Sequence, residues 1–183
     1  RKPKLTPAIA WKWLLSLNHL APLRAFTASF ELTCSRKAAL HFLRYAFIGT
    51  NMKSQKYLDQ GQFAYIMPST MTKVDQDQLN YYMRCMIQIQ EMHETLREFG
   101  WDPEDARLVI PNGAVQKMMW GSTLEGVVKM LDIGAEQYVG EVNELCCHML
   151  AVLQNWSMDF FGVYDWKDTE HGESYTTRSP RSK

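Results

Sequence analysis

One short stretch of the chain, residues 44–57, gathers side chains that could bind an anion. It begins with Arg44, at the end of an apolar pattern with helical spacing. A hydroxyl, an ammonium and a phenol follow within four residues, at Ser54, Lys56 and Tyr57. Cations and hydroxyl donors that lie on one loop form charge-assisted hydrogen bonds to an anion. The stretch therefore predicts a helix end, followed by a polar loop or strand that binds an anion.

The composition indicates a packed globular protein without attraction for polyanions. The 183 residues contain 20 Lys and Arg and 20 Asp and Glu, so the formal net charge is zero. This balance creates no field that would draw in nucleic acid or a membrane surface. The apolar runs are far shorter than a membrane-spanning helix requires. We therefore expect neither nucleic acid nor a membrane as a partner.

The cysteines indicate buried thiols in a reducing compartment. The chain has four of them, none in a C-x-x-C pair, and Cys146 and Cys147 point to different sides of a predicted helix. This spacing does not favour a disulfide framework or a zinc knuckle. The histidine on the long predicted helix, His93, also lacks the H-E-x-x-H spacing of a metal site. We therefore expect a cytoplasmic protein without a metal site.

Hydrophobic periodicity predicts an α+β fold in which helices dominate. The predicted helices cover residues 7–17, 36–45, 75–99, 102–107, 123–133 and 136–153. The predicted strands cover residues 25–33 and 115–121. Residues 162–183 are polar and lack periodicity, which predicts a flexible tail. The chain should thus form one domain over residues 1–161, followed by that tail.

The anion-binding stretch resembles the signature of the flavin-dependent thymidylate synthases, which is written R-H-R-x-x-S-x-N-E-x-S-x-R-Y. It matches the signature at Arg44, Asn51, Ser54 and Tyr57. Lys56 stands in the place of the last arginine and keeps its charge. The chain is similar to this family at a specific motif, although several letters differ.

Further motifs follow in the order that the family has them. Residues 13–22 resemble the family's helix and its H-x-S-P turn, and residues 30–35 resemble the strand and Cys-Pro that precede the signature helix. Residues 106–111, with Trp120 nine residues after the last of them, resemble the A-R-x-x-L-P element and the strand tryptophan. The resemblance covers roughly residues 7–155, and the family's N-terminal strand would lie upstream of it.

The resemblance implies a helix-rich α+β fold with a small, mainly antiparallel sheet. It also implies a homotetramer that uses FAD, NADPH and methylenetetrahydrofolate to methylate a pyrimidine nucleotide, dUMP, at C5. In this family the reduced flavin supplies the hydride and no protein nucleophile attacks the pyrimidine. The protein then has to anchor the phosphate, polarise the uracil and hold the flavin.

The resemblance assigns phosphate binding to Arg44, Ser54, Lys56 and Arg107, the last of which would act from a neighbouring subunit. Converging cations and a hydroxyl suit a dianion, and arginine can bind it through two hydrogen bonds. Lys56 lacks the planar fork of arginine, so we expect weaker orientation of the phosphate there. The alternative is that Lys56 and Arg107 are ordinary surface charges.

The signature positions that the family uses for the cofactor carry different residues in this chain. Its histidine, second arginine and glutamate are Tyr45, Ala46 and Met52 in this chain. By position, the resemblance leaves Tyr45, Asn51 and Thr123 as the residues that would contact the cofactor. His41 lies beside apolar positions of a predicted helix, which favours a packed core histidine over a catalytic base.

The positions after Trp120 also depart from the family. Where the family has an asparagine, an arginine and the arginine that contacts the uracil, this chain has Thr123, Glu125 and Gly134. A register shifted by one residue would place Ile133 at the last position, and isoleucine cannot carry the charge either. Glycine cannot stabilise negative charge on a pyrimidine as arginine does. Three hypotheses therefore stay open: an active flavin-dependent synthase, a nucleotide-binding homologue with lost or changed chemistry, and a structural domain that shares only the fold.

Overall fold

The computed structural model describes residues 6–45, 49–52, 63–67, 75–136, 140–169 and 172–176. Its helices are α1 (Pro7–Ser16), α2 (Arg36–Leu43), α3 (Gln76–Glu98), α4 (Pro103–Ala106), α5 (Leu124–Glu136), α6 (Glu141–Trp156) and α7 (Met158–Phe161). Its strands are β1 (Thr27–Ser35), β2 (Gly49–Met52), β3 (Val115–Thr123), β4 (Trp166–Thr169) and β5 (Gly172–Tyr175). The prediction of a helix-rich α+β fold with a small antiparallel sheet is confirmed.

The chain forms two compact units. The first unit comprises Arg1–Ser29, Tyr45–Gly49 and Gly121–Lys183, and the second unit comprises Phe30–Arg44 and Thr50–Trp120. Strands β1, β3 and β2 form one sheet in that order, and β4 pairs with β5 in a separate hairpin. That residues 1–161 act as one domain stays a prediction.

Local capping sets where the helices begin. The Thr6 side chain accepts a hydrogen bond from the Ile9 amide, and the Ser35 hydroxyl accepts one from the Ala38 amide at 3.1 Å. Both residues satisfy amide groups that the first helical turn leaves without partners. The starts of α1 and α2 therefore lie at the residues that the sequence predicts.

The boundary between α5 and α6 differs from the prediction. Helix α5 runs to Glu136, and α6 begins at Glu141, not at residue 136. Gly140 precedes α6 with a φ of 129°, a backbone conformation that residues with a Cβ atom rarely adopt. The periodic pattern crosses this break without a change, so periodicity alone did not show it.

Strand β1 lies two residues later than predicted. A 3-10 helix, Ala21–Ala25, contains Pro22 near its start and occupies the first position predicted for the strand. Proline at the start of this turn fixes φ near the helical value, which favours the extra turn. The strand then continues to Ser35, whose side chain caps α2.

The core of the first unit lies between α5 and α6. Helix α5 buries apolar side chains along its length, among them Val127, Val128 and Leu131. Helix α6 contributes the buried Met149 and Leu150. Each fully buried side chain of this size contributes about 1.5–3 kcal/mol through the hydrophobic effect. These two helices form the support on which the end of the chain packs.

Part of the segment 162–183, for which the sequence predicts a flexible tail, forms a β-hairpin. Strands β4 and β5 pair antiparallel, from Trp166 opposite Tyr175 to Thr169 opposite Gly172. Tyr175 is 0% exposed, and its hydroxyl donates a 2.6 Å hydrogen bond to the Leu131 carbonyl. The polar composition of the segment gave no sign that Tyr175 would be buried. Residues 170–171 and 177–183 lie outside the described part.

In the second unit, Trp120 on β3 holds the end of α2. Its side chain is fully buried, and the indole Nε1–H donates to the Phe42 carbonyl at 2.8 Å. The Phe42 ring packs edge-on against it at 5.6 Å, and Phe30 lies at 6.1 Å. Trp120 therefore holds the last turn of α2, which ends at Leu43, directly before Arg44.

We predict that Tyr175→Ala lowers the free energy of unfolding by about 3–5 kcal/mol, as expected for truncating a large buried aromatic side chain. Denaturant unfolding followed by circular dichroism measures this change. Glu173→Ala is the matched control, because its side chain is exposed on the same strand, and it should stay within about 0.5 kcal/mol of the parent. Equal stability of the two variants would show that the hairpin is not anchored by Tyr175.

Candidate functional site

Arg44 is the first predicted site residue that the structure describes. It is exposed and forms the C-cap of α2, with its amide donating to the His41 carbonyl at 3.2 Å. A cation at this end of a helix is favoured by the partial negative charge of the last carbonyls. Its guanidinium also helps to lower the pKa of His41, after burial, which is the larger cause.

Arg107 begins the short 3-10 helix Arg107–Val109, directly after α4. Its Nη2 lies 3.9 Å from a carboxylate oxygen of Glu104, which is itself half exposed. Such a long, solvent-exposed pair contributes little and leaves the guanidinium able to bind another anion. Arg44 and Arg107 both belong to the second unit, while Ser54 and Lys56 lie outside the described residues. That the four converge on one phosphate stays a prediction.

Two of the predicted cofactor residues, Tyr45 and Thr123, belong to the first unit. The buried hydroxyl of Ser122 donates to the Tyr45 carbonyl at 3.0 Å, and Thr123 is the next residue. The Thr123 oxygen accepts a hydrogen bond from the Gly126 amide at 3.2 Å and so caps the start of α5. The third residue, Asn51, is exposed on β2 in the second unit.

The chemistry of this pair fits a flavin. Tyr45 presents a half-buried aromatic ring that suits stacking on another ring. The Thr123 hydroxyl accepts from Gly126, and its own proton is able to donate to an acceptor. The signature residue Ala46 lies outside the described residues.

Glu125 is the centre of a charged cluster in the first unit. Arg24 donates to its carboxylate through Nε and, at 3.3 Å, through Nη2. Lys129 donates to the same carboxylate at 2.8 Å. The hydrogen bond from Arg24, followed by that from Lys129, lowers the pKa of Glu125 from 4.5 to about 2. Glu125 is therefore an ionised and largely buried carboxylate where the family pattern has arginine.

A polar cavity of about 500 Å³ lies beside this cluster. Its lining side chains carry both signs of charge and include His19, from the turn that resembles H-x-S-P. The charged and polar members are Asn18, His19, Arg24, Glu125, Lys129 and Asp132. A cavity of this size is large enough for a small polar molecule.

Sequence reasoning missed both partners of Glu125. Lys129 could have been found, because glutamate and lysine four residues apart on a helix face each other. Arg24 lies 101 residues away from Glu125 in the sequence and carries no local signal of the contact.

Gly134, at the position that the resemblance matches to the family's uracil-contacting arginine, is tightly packed. A Cβ atom there would lie 2.5 Å from the Cβ of Cys146 and 2.7 Å from the hydroxyl of Tyr175. Real Cβ atoms do not approach other heavy atoms so closely, so the site admits glycine alone without rearrangement. Burial raises the pKa of Cys146 to about 12, which keeps this thiol protonated and unreactive.

Among the described residues, His93 and the helices give no sign of a metal site or of a membrane-spanning segment. His93 is buried on α3, and burial is the main cause that lowers its pKa. Within the described ranges, no three His, Cys, Asp or Glu side chains are arranged to hold a metal ion. None of the described helices combines the length and the apolar character that crossing a membrane requires.

We predict that Glu125→Gln removes a pH-dependent part of the stability. The folded pKa lies below the unfolded value, so the unfolded chain binds more protons between them. The parent should exceed the variant in unfolding free energy above pH 4.5 and lose this advantage as the pH falls towards 2. Urea unfolding at several pH values measures it. Glu136→Gln, at the exposed end of α5, should keep the parent's pH profile; an identical profile for Glu125→Gln would contradict the cluster.

Comparison with known proteins supports the signature resemblance. A search of the curated proteins found no match. The family model described as thymidylate synthase complementing protein matches residues 8–157, which include the end of α2, the Arg107 turn, β3 and α5. This match covers well over half of the chain, and the chain therefore belongs to the thymidylate synthase complementing protein family.

Proposed function

We propose that the chain is an FAD-dependent thymidylate synthase-like enzyme that methylates C5 of dUMP or a related pyrimidine nucleotide. Methylenetetrahydrofolate would supply the carbon and NADPH the reducing equivalents, in a homotetramer. The observation that carries the proposal is the family match over residues 8–157. The match spans the residues to which the proposal assigns phosphate and cofactor binding.

Arg44 and Arg107 carry the phosphate-binding part of the proposal. Both are arginines at the ends of short elements, and their guanidinium groups are at least partly exposed. Two cations and the hydroxyl of Ser54 neutralise a phosphate dianion and fix its orientation through charge-assisted hydrogen bonds. Lys56 adds a third positive charge without the geometric constraint of a guanidinium.

Tyr45, Asn51 and Thr123 would hold the flavin, which supplies a hydride when it is bound and reduced. The Tyr45 ring would stack against a flat ring system, and the Thr123 hydroxyl would donate a hydrogen bond. The contact between Ser122 and the Tyr45 carbonyl supports this role, because it holds the Tyr45 backbone against the strand residue that precedes Thr123. Asn51 would contribute its amide from β2.

A second candidate function is favoured by Gly134. In it, the chain binds a pyrimidine nucleotide and has lost or changed the methylation chemistry. The close packing of Cys146 and Tyr175 around Gly134 leaves no room for a side chain that could polarise the uracil. If the first candidate function is correct, a group other than residue 134 has to polarise the uracil.

We predict that Arg107→Ala weakens dUMP binding by about 1.5–3 kcal/mol, or roughly 10- to 100-fold in Kd, because a charge-assisted contact is lost. Arg44→Ala should have an effect of similar size for the same reason. Isothermal titration calorimetry measures both. Arg84→Ala removes an exposed arginine from α3 and serves as the matched control, with unchanged affinity. Equal affinity of all three variants would refute the phosphate assignment.

We predict that the purified protein carries flavin absorbance or acquires it on incubation with FAD. Tyr45→Ala should retain less flavin, since the stacking ring is removed. The absorbance spectrum after gel filtration measures the bound flavin. A colourless protein that cannot be reconstituted would contradict the first candidate. A Tm raised by dUMP and not by FAD would then favour the second.

A further inference from the structure

A second cavity, of about 290 Å³, lies entirely within the first unit. Its walls come from α1, the residues around the start of α5, and the junction of α6 with α7. Four aromatic side chains line it: Trp11, Phe26, Trp156 and Phe160. We call these four and the nearby Asp159 the aromatic cage. None of its members belongs to the nucleotide or flavin positions described above.

The aromatic side chains of the cage pack against one another, and some of them are also exposed. The Trp11 ring lies edge-on to Phe26, with centroids 5.8 Å apart, and to Phe160, at 5.3 Å. Phe160 is buried, at 6% exposed, whereas Phe26 and Trp156 are 49% and 68% exposed. The Leu124 amide donates to the Phe26 carbonyl at 2.9 Å, which fixes the position of that wall. The aromatic surfaces are thus held in place and still accessible to a ligand.

The charge of the cage is negative. Asp159 is its charged lining residue, and the other lining residues are apolar or, as with Ser157, neutral. The Asp159 side chain is exposed, and no cation within the described part of the chain pairs with it. Aromatic faces also carry negative potential, so rings and carboxylate act in the same direction.

We propose that the aromatic cage binds a small alkylated ammonium ion as a free molecule. A cavity lined by several aromatic side chains and a carboxylate is suited to a cation with apolar substituents. The volume lies at the lower limit of small-molecule sites, which span about 300–1,000 Å³. A compact quaternary ammonium ion matches both the charge and the size.

This ligand differs from those of the proposed function. dUMP and FAD carry phosphate groups, which the carboxylate of Asp159 repels. Cation binding in the aromatic cage therefore does not depend on nucleotide binding at Arg44 and Arg107. A result on one site leaves the other unaffected.

Calorimetric titration of the full chain with choline chloride tests the proposal. The neutral isostere 3,3-dimethylbutan-1-ol has the same shape without the charge and is the ligand control. We expect choline to bind saturably and at least about tenfold tighter than the isostere, since the positive charge interacts with the rings and the carboxylate. Equal affinity for the two ligands, or no saturable binding of choline, would overturn the proposal.

Two variants locate the binding. Trp156→Ala and Asp159→Asn should each lower choline affinity several-fold, and Asp159→Asn should leave the isostere's affinity unchanged. Both residues are exposed, so the fold should survive, which circular dichroism checks. Trp101→Ala, an exposed tryptophan of the second unit, is the matched control and should bind choline like the parent. Unchanged choline affinity in Trp156→Ala and Asp159→Asn would overturn the assignment to the cage.

Discussion

The hydrogen bond from the buried Trp120 indole to the Phe42 carbonyl is the constraint on which the candidate site depends. It joins β3 to the last turn of α2, just before Arg44. Two residues further along β3, Ser122 holds the carbonyl of Tyr45 in the same way. Loss of the indole would leave a buried carbonyl unpaired and a large cavity, both of which are costly. The chain therefore leaves α2 at a fixed place, and the phosphate and cofactor candidates begin there.

In the first unit, tight packing restricts which side chains one position of α5 can hold. Gly134, Cys146 and Tyr175 come so close that the helix α5 position where the family has an arginine admits no side chain. About two and a half helix turns earlier on α5, Glu125 is held by Arg24 and Lys129 and contributes a fixed negative charge. The same contacts that stabilise α5, α6 and the C-terminal hairpin thus leave no space for a side chain at Gly134. Family membership is established for this chain, whereas its chemistry has to be tested.

The sequence predicted those features whose causes are local. Thr6 and Ser35 cap their helices through side chains that lie next to them in sequence, so the helix starts were predictable. The order of helices and strands followed from periodicity for the same reason. The hairpin at the end of the chain depends on burial of Tyr175 against Leu131, which lies 44 residues away, and composition carries no signal of such a contact. The Arg24–Glu125 pair was missed for the same physical reason.

The most direct test of the proposed reaction is release of tritium from dUMP labelled at C5. Methylation at C5 replaces that hydrogen, so an active synthase transfers the label to water and forms dTMP. The protein, supplied with FAD, NADPH and methylenetetrahydrofolate, should release tritium in proportion to the dTMP formed. Tight binding of dUMP without any release of tritium would contradict the proposed synthase activity and favour a nucleotide-binding homologue with changed chemistry.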